Sequence, residues 1–212
     1  MKKQFKTIII IFLVLLMGTY VNVEAKTKTL TGIVLNNNVD VKSDTSKSSK
    51  KIYTLSQGTN VKVKETSGSY YILEGKGQVG YVKKSSIALT YILVDISDQK
   101  LYVYNDGVKK WSANVVTGTK GVNDTPKGHY TLKRSNFKKD TYLMGNSHVD
   151  YWMPFITSRG IGFHDASWRS SSNFKKSTYL KHGSHGCVNM KTKDAKKLYE
   201  TAPSSVDVIV RQ

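Results

Sequence analysis

Cysteine is almost absent from this chain: Cys187 is the only one among 212 residues. A single thiol cannot form an intramolecular disulfide, so the fold must be stable without cross-links. One cysteine and five histidines that lie apart also give no recognisable ligand spacing for a metal ion. We therefore predict a protein without structural disulfides, metal or cofactor, and the lone cysteine needs another explanation.

A hydrophobic run long enough to cross a membrane is lacking near the N-terminus. The apolar run at residues 7–17 is shorter than the roughly 18 to 20 residues needed to span a bilayer. Three lysines precede it and the small residues Val23 and Ala25 follow it, as in a secretory signal peptide. We predict a signal peptide over residues 1–25 and export, with an uncleaved membrane anchor as the alternative. Because no cysteine lies near the cleavage site, we expect no lipoprotein anchor.

Acidic residues are scarce: 15 aspartates and glutamates face 33 lysines and arginines, which gives a net charge of +18. Loss of three lysines and Glu24 with the predicted signal would leave +16. Outside a cell, such a charge favours anionic wall polymers or lipid head groups, although a merely soluble surface explains it equally well. The lysines are scattered singly and in pairs, without a dense basic helix, so we expect no nucleic-acid partner.

Residues 29–89 consist of short segments of alternating hydrophobicity, separated by Ser, Asn and Gly turns. Regular spacing of such segments predicts a small β-barrel. The informative segments are, in chain order, Gly32-x-Val34, Val39-Asp40-Val41-Lys42, Gly58-Thr59-x-Val61-x-Val63, Tyr70-Tyr71 and Gly80-Tyr81-Val82. Together they resemble the bacterial SH3-like domain of exported wall proteins. The resemblance implies that this region binds wall peptide or orients a catalytic partner.

Residues 91–211 also begin as strands, but a helix lies near their end. The alternation from Ile92 to Ile96 predicts a first strand, and Asn105-Asp106-Gly107 between two alternating runs predicts a hairpin. Only one good helix is predicted, from Thr192 as its N-cap to a stop at Pro203. A closing strand follows, so the fold class is mainly β with one C-terminal helix.

The surroundings of Cys187 favour a nucleophile. An active cysteine reacts as the thiolate, so it needs a base or cation nearby and hydrogen-bond donors for the oxyanion that it creates. Gly186 allows a sharp turn that exposes the sulfur and directs the amides of His185, Gly186 and Cys187 at one point. His164, which arrives from a separate strand end, is a better base than a histidine beside the cysteine. Asp165 would fix the ring tautomer through its carbonyl or side chain.

These residues belong to a spaced pattern in which His164 is followed, after a gap of nineteen residues, by Ser184-His185-Gly186-Cys187-Val188-Asn189. Further pieces are Val94-Asp95, Gln99-x-Leu101-x-Val103-Tyr104, Thr117-Gly118, Thr125-Pro126-x-Gly128-x-Tyr130, Trp152-Met153-Pro154-Phe155 and His164-x-Ala166-x-Trp168. The pattern resembles the L,D-transpeptidases, the YkuD-type catalytic domain, over nearly all of residues 91–211. It implies a β-sandwich. Asn189 stands where many relatives carry arginine, a variant that the family also uses.

The resemblance implies an exported enzyme that cross-links peptidoglycan in a bacterial cell wall. Cys187 would attack the carbonyl between the third residue and the fourth, D-Ala, of a donor stem peptide, after His164 takes the thiol proton. The resulting thioester would then pass to the side-chain amine of an acceptor stem. Transfer to water instead would make the protein an L,D-carboxypeptidase, and a non-catalytic wall-binding protein is the further alternative.

The resemblance places further residues at the cleft. Ser184 either hydrogen-bonds substrate or shapes the turn, His185 contributes its backbone amide and packing, and Asn189 orients the cysteine loop. Large side chains that match the cleft region are Tyr130, Met153 and Trp168, although aromatic side chains in a β domain more often belong to the core.

Residue order disfavours two other families of exported cysteine enzymes. Sortases carry an arginine soon after the cysteine, whereas Cys187 is followed by none before Arg211. Wall peptidases with a Cys/His pair place the histidine after the cysteine, and no histidine follows Met190. The order of His164 before Cys187 therefore favours the transpeptidase interpretation.

Overall fold

The computed structural model describes residues 29–75, 78–143 and 146–212. The predicted signal peptide at residues 1–25 lies outside this part of the chain. Among the residues described, no helix has the length and apolar character required to span a membrane.

The first part of the chain forms one antiparallel sheet of seven strands in the order β3-β2-β6-β5-β4-β1-β7. Its strands are β1 (Leu30–Val34), β2 (Val39–Lys42), β3 (Lys51–Leu55), β4 (Asn60–Ser67), β5 (Tyr70–Gly75), β6 (Gln78–Lys83) and β7 (Ile87–Ala88). Alternation places one apolar face inward, because successive side chains of a strand point to opposite faces. The core consists of Val34, Val39, Val41, Val61, Val63, Leu73, Val82 and Ile87.

The second part forms a sheet of nine strands in the order β11-β16-β8-β9-β10-β15-β14-β13-β12. Its strands are β8 (Tyr91–Asp95), β9 (Lys100–Asn105), β10 (Val108–Val116), β11 (Gly128–Lys133), β12 (Lys138–Tyr142), β13 (His148–Ile156), β14 (Ile161–Asp165), β15 (Val188–Met190) and β16 (Ser205–Arg211). The hairpin at Asn105-Asp106-Gly107 joins β9 to β10, and positive φ angles of 49° at Asp106 and 69° at Gly107 form its tight turn.

This sheet is curled, so that β11 at one edge contacts β13 near the other. Side chains from its two halves meet in the main core, which includes Ile92, Leu101, Met153, Phe163 and Val208, each at most 1% exposed. Two neighbouring pairs, β16 with β8 and β14 with β15, run parallel within an otherwise antiparallel sheet. The prediction of a mainly β protein with a sandwich-like second part is confirmed.

The C-terminal helix α2 covers Thr192–Thr201, as the sequence predicted. Its Ala195 and Leu198 are buried against the sheet, and it contacts β13 and β14. The predicted N-cap was wrong by one residue, because Lys191 occupies that position and makes no side-chain capping bond. A four-residue helix, α1 (Tyr179–His182), precedes it and was not predicted.

The two sheets share an apolar cluster. Ile33 of β1 is fully buried in a cluster with Ala88 of β7. The other buried members of this cluster belong to the nine-stranded sheet: Tyr91, Leu93 and Ile209. Packing of this kind makes the junction part of the protein interior, since apolar side chains there lose their contact with water.

Polar contacts reinforce the junction at two places. Arg211 donates from Nη1 to the Gly58 carbonyl at 2.7 Å and from Nε to Asp95 Oδ2 at 3.1 Å. The hairpin turn of the second sheet also meets β1, where the Thr31 amide donates to the Gly107 carbonyl at 2.9 Å. A Cβ at Gly107 would lie 2.5 Å from Leu30 Cβ, so this turn requires glycine for its close approach as well as for its φ.

Candidate active site

Parallel pairing of β14 with β15 brings the histidine and cysteine segments together. Phe163 pairs with Val188 and His164 with Asn189, while Cys187 directly precedes β15. The long connection that a parallel pair requires is supplied by residues 166–187. His164 and Cys187 consequently line the same cavity, although they lie far apart in the sequence.

The cavity has a volume of about 420 Å³. Six residues that the sequence singled out line it: His164, Trp168, Ser184, His185, Cys187 and Asn189. Further walls come from Tyr142, Leu143, Ser147, Trp152, Arg159 and Arg169. Trp168 is 52% exposed with its ring centroid 5.9 Å from that of His164, so a large apolar surface faces solvent at the mouth of the cavity.

His164 is held in one tautomer by the backbone. Its Nδ1 lies 2.7 Å from the carbonyl oxygen of Asp165, and a carbonyl can only accept, so Nδ1 carries the proton and Nε2 has a free lone pair. The ring is 4% exposed, and this burial lowers the pKa of His164 against opposing effects of the Asp165 carbonyl and charge. The imidazole is therefore neutral at neutral pH.

Asp165 acts on this ring through its carbonyl, which is one of the two possibilities that the sequence left open. Its carboxylate is engaged elsewhere, where Oδ1 accepts the Tyr151 amide at 2.9 Å. The side chain is 1% exposed, so this bond ties β14 to β13 from inside the protein.

Cys187 is partly buried at rest. Burial raises the pKa of its thiol, and a hydrogen bond from the Gly162 backbone opposes that effect. The thiol donates to the Gly160 carbonyl across 3.6 Å. Because burial favours the neutral thiol, formation of the nucleophilic thiolate depends on a base.

The turn before Cys187 is organised by Ser184. Its Oγ donates to the Cys187 carbonyl and accepts the Gly186 amide at 3.1 Å. Gly186 adopts φ = +112°, a backbone conformation that side chains disfavour. The Gly186 amide is therefore bound within the turn, which corrects the expectation that it joins two neighbouring amides at an oxyanion.

The loop of residues 117–125, which the sequence analysis did not assign to the site, holds this turn in place through hydrogen bonds. Thr125 Oγ1 donates to the Gly186 carbonyl at 2.8 Å and accepts the Gly118 amide at 2.9 Å. The Ser184 amide donates to the Thr117 carbonyl at 2.9 Å. Thr117, Gly118 and Thr125 were part of the family-like pattern, but a pattern of residue types gives no contact partner, so their supporting position was not predictable.

Arg169 is a second residue that sequence reasoning missed. Its Nη1 donates to the His182 carbonyl at 2.9 Å and its Nη2 to the Gly183 carbonyl at 3.0 Å. Burial lowers the pKa of its guanidinium. The side chain thus connects the segment after Trp168 to the start of the cysteine turn.

Met153 and Tyr130, which the family resemblance matched to the cleft region, do not line this cavity. Trp152 faces the cavity, and alternation along β13 turns Met153 to the opposite side, where it is fully buried in the main core. The Tyr130 ring packs on Phe155, and its hydroxyl lies within hydrogen-bond distance of the carbonyls of residues 126 and 127.

Among the residues that the structure describes, one cluster of possible metal ligands lies outside the cavity. Asp140, His148 and Asp150 have ligand atoms within 4.8 Å of one another, and all three are exposed. The His148 Nε2 lies 2.8 Å from Asp140 Oδ1, so the histidine is engaged by a carboxylate of the same hairpin. The sequence did not indicate this grouping, because strand pairing rather than spacing produces it.

Comparison with known proteins identifies the family of this region. Residues 89–210 match the YkuD family, described as the L,D-transpeptidase catalytic domain. A cysteine-to-serine mutant of an L,D-transpeptidase from Enterococcus faecium has a similar fold, with a TM-score of 0.55 at 23% identity over 82% of this chain and 75% of that one. The catalytic domain of the E. faecium enzyme is 29% identical over 57% of this chain and 96% of that one, with a TM-score of 0.50. No curated protein matched.

Proposed function

Because the chain belongs to the L,D-transpeptidase family through residues 89–210, we propose that it forms peptidoglycan cross-links by way of an acyl-enzyme on Cys187. The observation that carries this proposal is the shared cavity of His164 and Cys187, in which the Asp165 carbonyl leaves His164 Nε2 free to accept a proton. A neutral buried imidazole beside a neutral thiol is suited to general-base catalysis at neutral pH.

The first step of the proposed reaction is acylation. His164 takes the proton of the Cys187 thiol, and the thiolate attacks the carbonyl between the third residue and the terminal D-Ala of a donor stem peptide. When the tetrahedral intermediate collapses, the bond to the D-Ala nitrogen breaks and that nitrogen receives the proton from His164. The products are free D-Ala and a thioester on Cys187.

The second step transfers the acyl group. The side-chain amine of the third residue on an acceptor stem attacks the thioester, His164 accepts its proton, and the new amide forms as the thiol is restored. Water in place of the amine would give an L,D-carboxypeptidase from the same acyl-enzyme. The open, aromatic mouth at Trp168 favours the larger acceptor, since it offers apolar surface to an incoming peptide.

The remaining residues of the cavity are proposed to position these groups. Ser184 shapes the turn, and His185, which lines the cavity, contributes through its backbone amide and packing. Asn189 lines the cavity and is 2% exposed, and among the described residues its Oδ1 has no hydrogen-bond partner, so it is assigned to a substrate amide. Gly186 permits the turn itself.

Residues 29–89 are proposed to be an SH3-like domain that orients the catalytic domain, with binding of wall peptide as the alternative role. The apolar junction at Ile33 and Tyr91 supports the orienting role, because a shared core restricts relative motion. We further propose secretion after cleavage of residues 1–25, without a membrane anchor on the mature chain, and attraction of its positive charge to anionic wall polymers.

Mass spectrometry of a reaction with disaccharide-tetrapeptide tests the proposal. Purified residues 26–212 and the Cys187→Ala variant would be incubated in parallel. Dimer formation with loss of one D-Ala, absent in the variant, is the expected result. Loss of D-Ala without dimer would replace the proposal by the carboxypeptidase, and an unchanged substrate would support the wall-binding alternative.

A further inference from the structure

The catalytic cavity has an unbalanced charge. Its described lining residues include two arginines, Arg159 and Arg169, and no aspartate or glutamate. The guanidinium of Arg169 already donates hydrogen bonds to the carbonyls of His182 and Gly183. Arg159 is exposed, and among the described residues its guanidinium makes no hydrogen bond and no ion pair. Its charge acts on the Tyr130 hydroxyl, whose pKa it lowers against the larger effect of burial. Arg159 is therefore a cavity-lining arginine whose guanidinium has no hydrogen-bonded or ion-paired partner in the described part of the chain.

Arg159 lies close to the reacting sulfur along the backbone. It ends the short 3-10 segment Thr157–Arg159, and the next residue, Gly160, reverses the chain with φ = +60°. The Gly160 carbonyl is the group that receives the Cys187 thiol at 3.6 Å. The residue with the free guanidinium is consequently the direct neighbour of the residue that touches Sγ.

A guanidinium in this position is complementary to a carboxylate of the substrate. Arginine binds carboxylates through two parallel charge-assisted hydrogen bonds, and the absence of a competing carboxylate in the described lining leaves this capacity unused. In a tetrapeptide donor, the carboxylate nearest to the bond that breaks is that of the terminal D-Ala. Only the amide nitrogen and one Cα separate it from the scissile carbonyl carbon.

We propose that Arg159 binds the terminal carboxylate of the donor stem and so selects donors that end one residue after the scissile bond. This inference rests on the proposed function and specifies its substrate. A carboxylate held there fixes the scissile carbonyl relative to Cys187, which is the positioning effect that accelerates an intramolecular reaction. A donor with an amidated terminus, or one extended by a further residue, offers no charge at that point.

Kinetics with matched donors test the selectivity. Release of D-Ala from a free-acid tetrapeptide and of D-alaninamide from its C-terminal amide would be compared for the wild type, Arg159→Gln, Arg159→Lys and Lys110→Gln, an exposed lysine on β10. We expect the wild type and Lys110→Gln to prefer the free acid by roughly 10- to 100-fold in kcat/KM. Arg159→Gln should lose most of this preference, and Arg159→Lys should retain part of it. An unchanged preference in Arg159→Gln would overturn the inference.

Binding separates this inference from the proposed chemistry. Titration of Cys187→Ala and of Cys187→Ala/Arg159→Gln with the two tetrapeptides requires no turnover. Tighter binding of the free acid to the single variant, and equal binding of acid and amide to the double variant, would support the carboxylate site. Equal affinities in the single variant would refute it, even if the wild type released D-Ala. Failure of the wild type to process any donor would instead refute only the proposed reaction.

Discussion

The two sheets differ in what they bury. Among the described residues, every buried polar or charged side chain belongs to the second part of the chain: Asp95, Gln99, Thr117, Thr125, Thr178, Ser184, Asn189, His164 and Asp165. The buried side chains of the seven-stranded sheet are apolar. Burial of a polar group costs free energy unless it is hydrogen-bonded, so such groups persist where they position something. The difference separates a sheet with an apolar interior from a sheet that also carries the candidate site.

Among the changes predicted, removal of His164 from the nine-stranded sheet is expected to have the largest effect on activity. His164→Ala deletes the proposed base beside a thiol whose burial already favours the neutral form. We expect kcat/KM for D-Ala release to fall by about 10²- to 10⁴-fold. Tyr151→Phe, which leaves a half-buried aromatic ring at β13, serves as the control. Activity within a few-fold of the wild type in His164→Ala would show that another group deprotonates Cys187.

The junction between the sheets gives a test of stability rather than of activity. There, an apolar residue of the seven-stranded sheet is expected to stabilise the nine-stranded sheet. Ile33→Ala removes a fully buried side chain from the cluster with Tyr91 and Ile209. We expect a loss of about 2 to 5 kcal/mol in the free energy of unfolding and a single cooperative transition. Denaturant unfolding followed by tryptophan fluorescence measures it, since all three tryptophans lie in the catalytic part.

Two separate transitions, with only the earlier one shifted by Ile33→Ala, would contradict this coupling. The two sheets would then be independent domains, and residues 91–212 should fold when residues 29–89 are removed. A single shifted transition predicts instead that this truncation exposes Tyr91, Leu93 and Ile209 and leaves an unstable product.

Thr125 tests whether a buried hydroxyl can act on the site without touching substrate. Thr125→Val leaves the Gly186 carbonyl and the Gly118 amide without their hydrogen-bond partner in a buried region. We expect a loss of about 2 to 4 kcal/mol of stability, because two unsatisfied groups remain, and slower alkylation of the Cys187 thiol. Thr131→Val on β11, where the side chain is exposed, is the matched control. Equal losses of stability and of alkylation rate in Thr125→Val and Thr131→Val would show that the Thr125 hydroxyl has no particular role in holding the cysteine turn.

The difference between the sheets also explains what the sequence could predict. Alternation and turn residues identified the mainly β architecture, the hairpin at Asn105-Asp106-Gly107 and the helix ending before Pro203, because these features depend on neighbours in the chain. Cys187 was singled out as the only cysteine and His164 as a histidine at a separate strand end, and the cavity brings them together.

Predictions failed where a residue's role depends on which side of a strand it occupies or on a distant partner. Met153 was assigned to the cleft, yet a shift of one position along β13 decides between Trp152 in the cavity and Met153 in the core. Thr125 and Arg169 reach backbone carbonyls of residues 182–186, and no local pattern encodes such contacts.

The pH dependence of stability gives the smallest expected effect and sharpens the contrast once more. Burial keeps the folded-state pKa of His164 below its ordinary value of about 6.5, which applies to an unfolded chain. As the pH falls below about 6.5, His164 binds a proton in the unfolded chain but stays neutral in the folded protein. The free energy of unfolding therefore decreases until the pH reaches the lowered pKa. Activity should fall over the lower part of the same window, since protonated His164 cannot accept the thiol proton. The contribution of His164 is measured by unfolding the wild type and His164→Gln at a series of pH values. As the pH falls below about 6.5, the free energy of unfolding of His164→Gln should decrease less than that of the wild type. An identical decrease in both proteins would assign the effect to other groups.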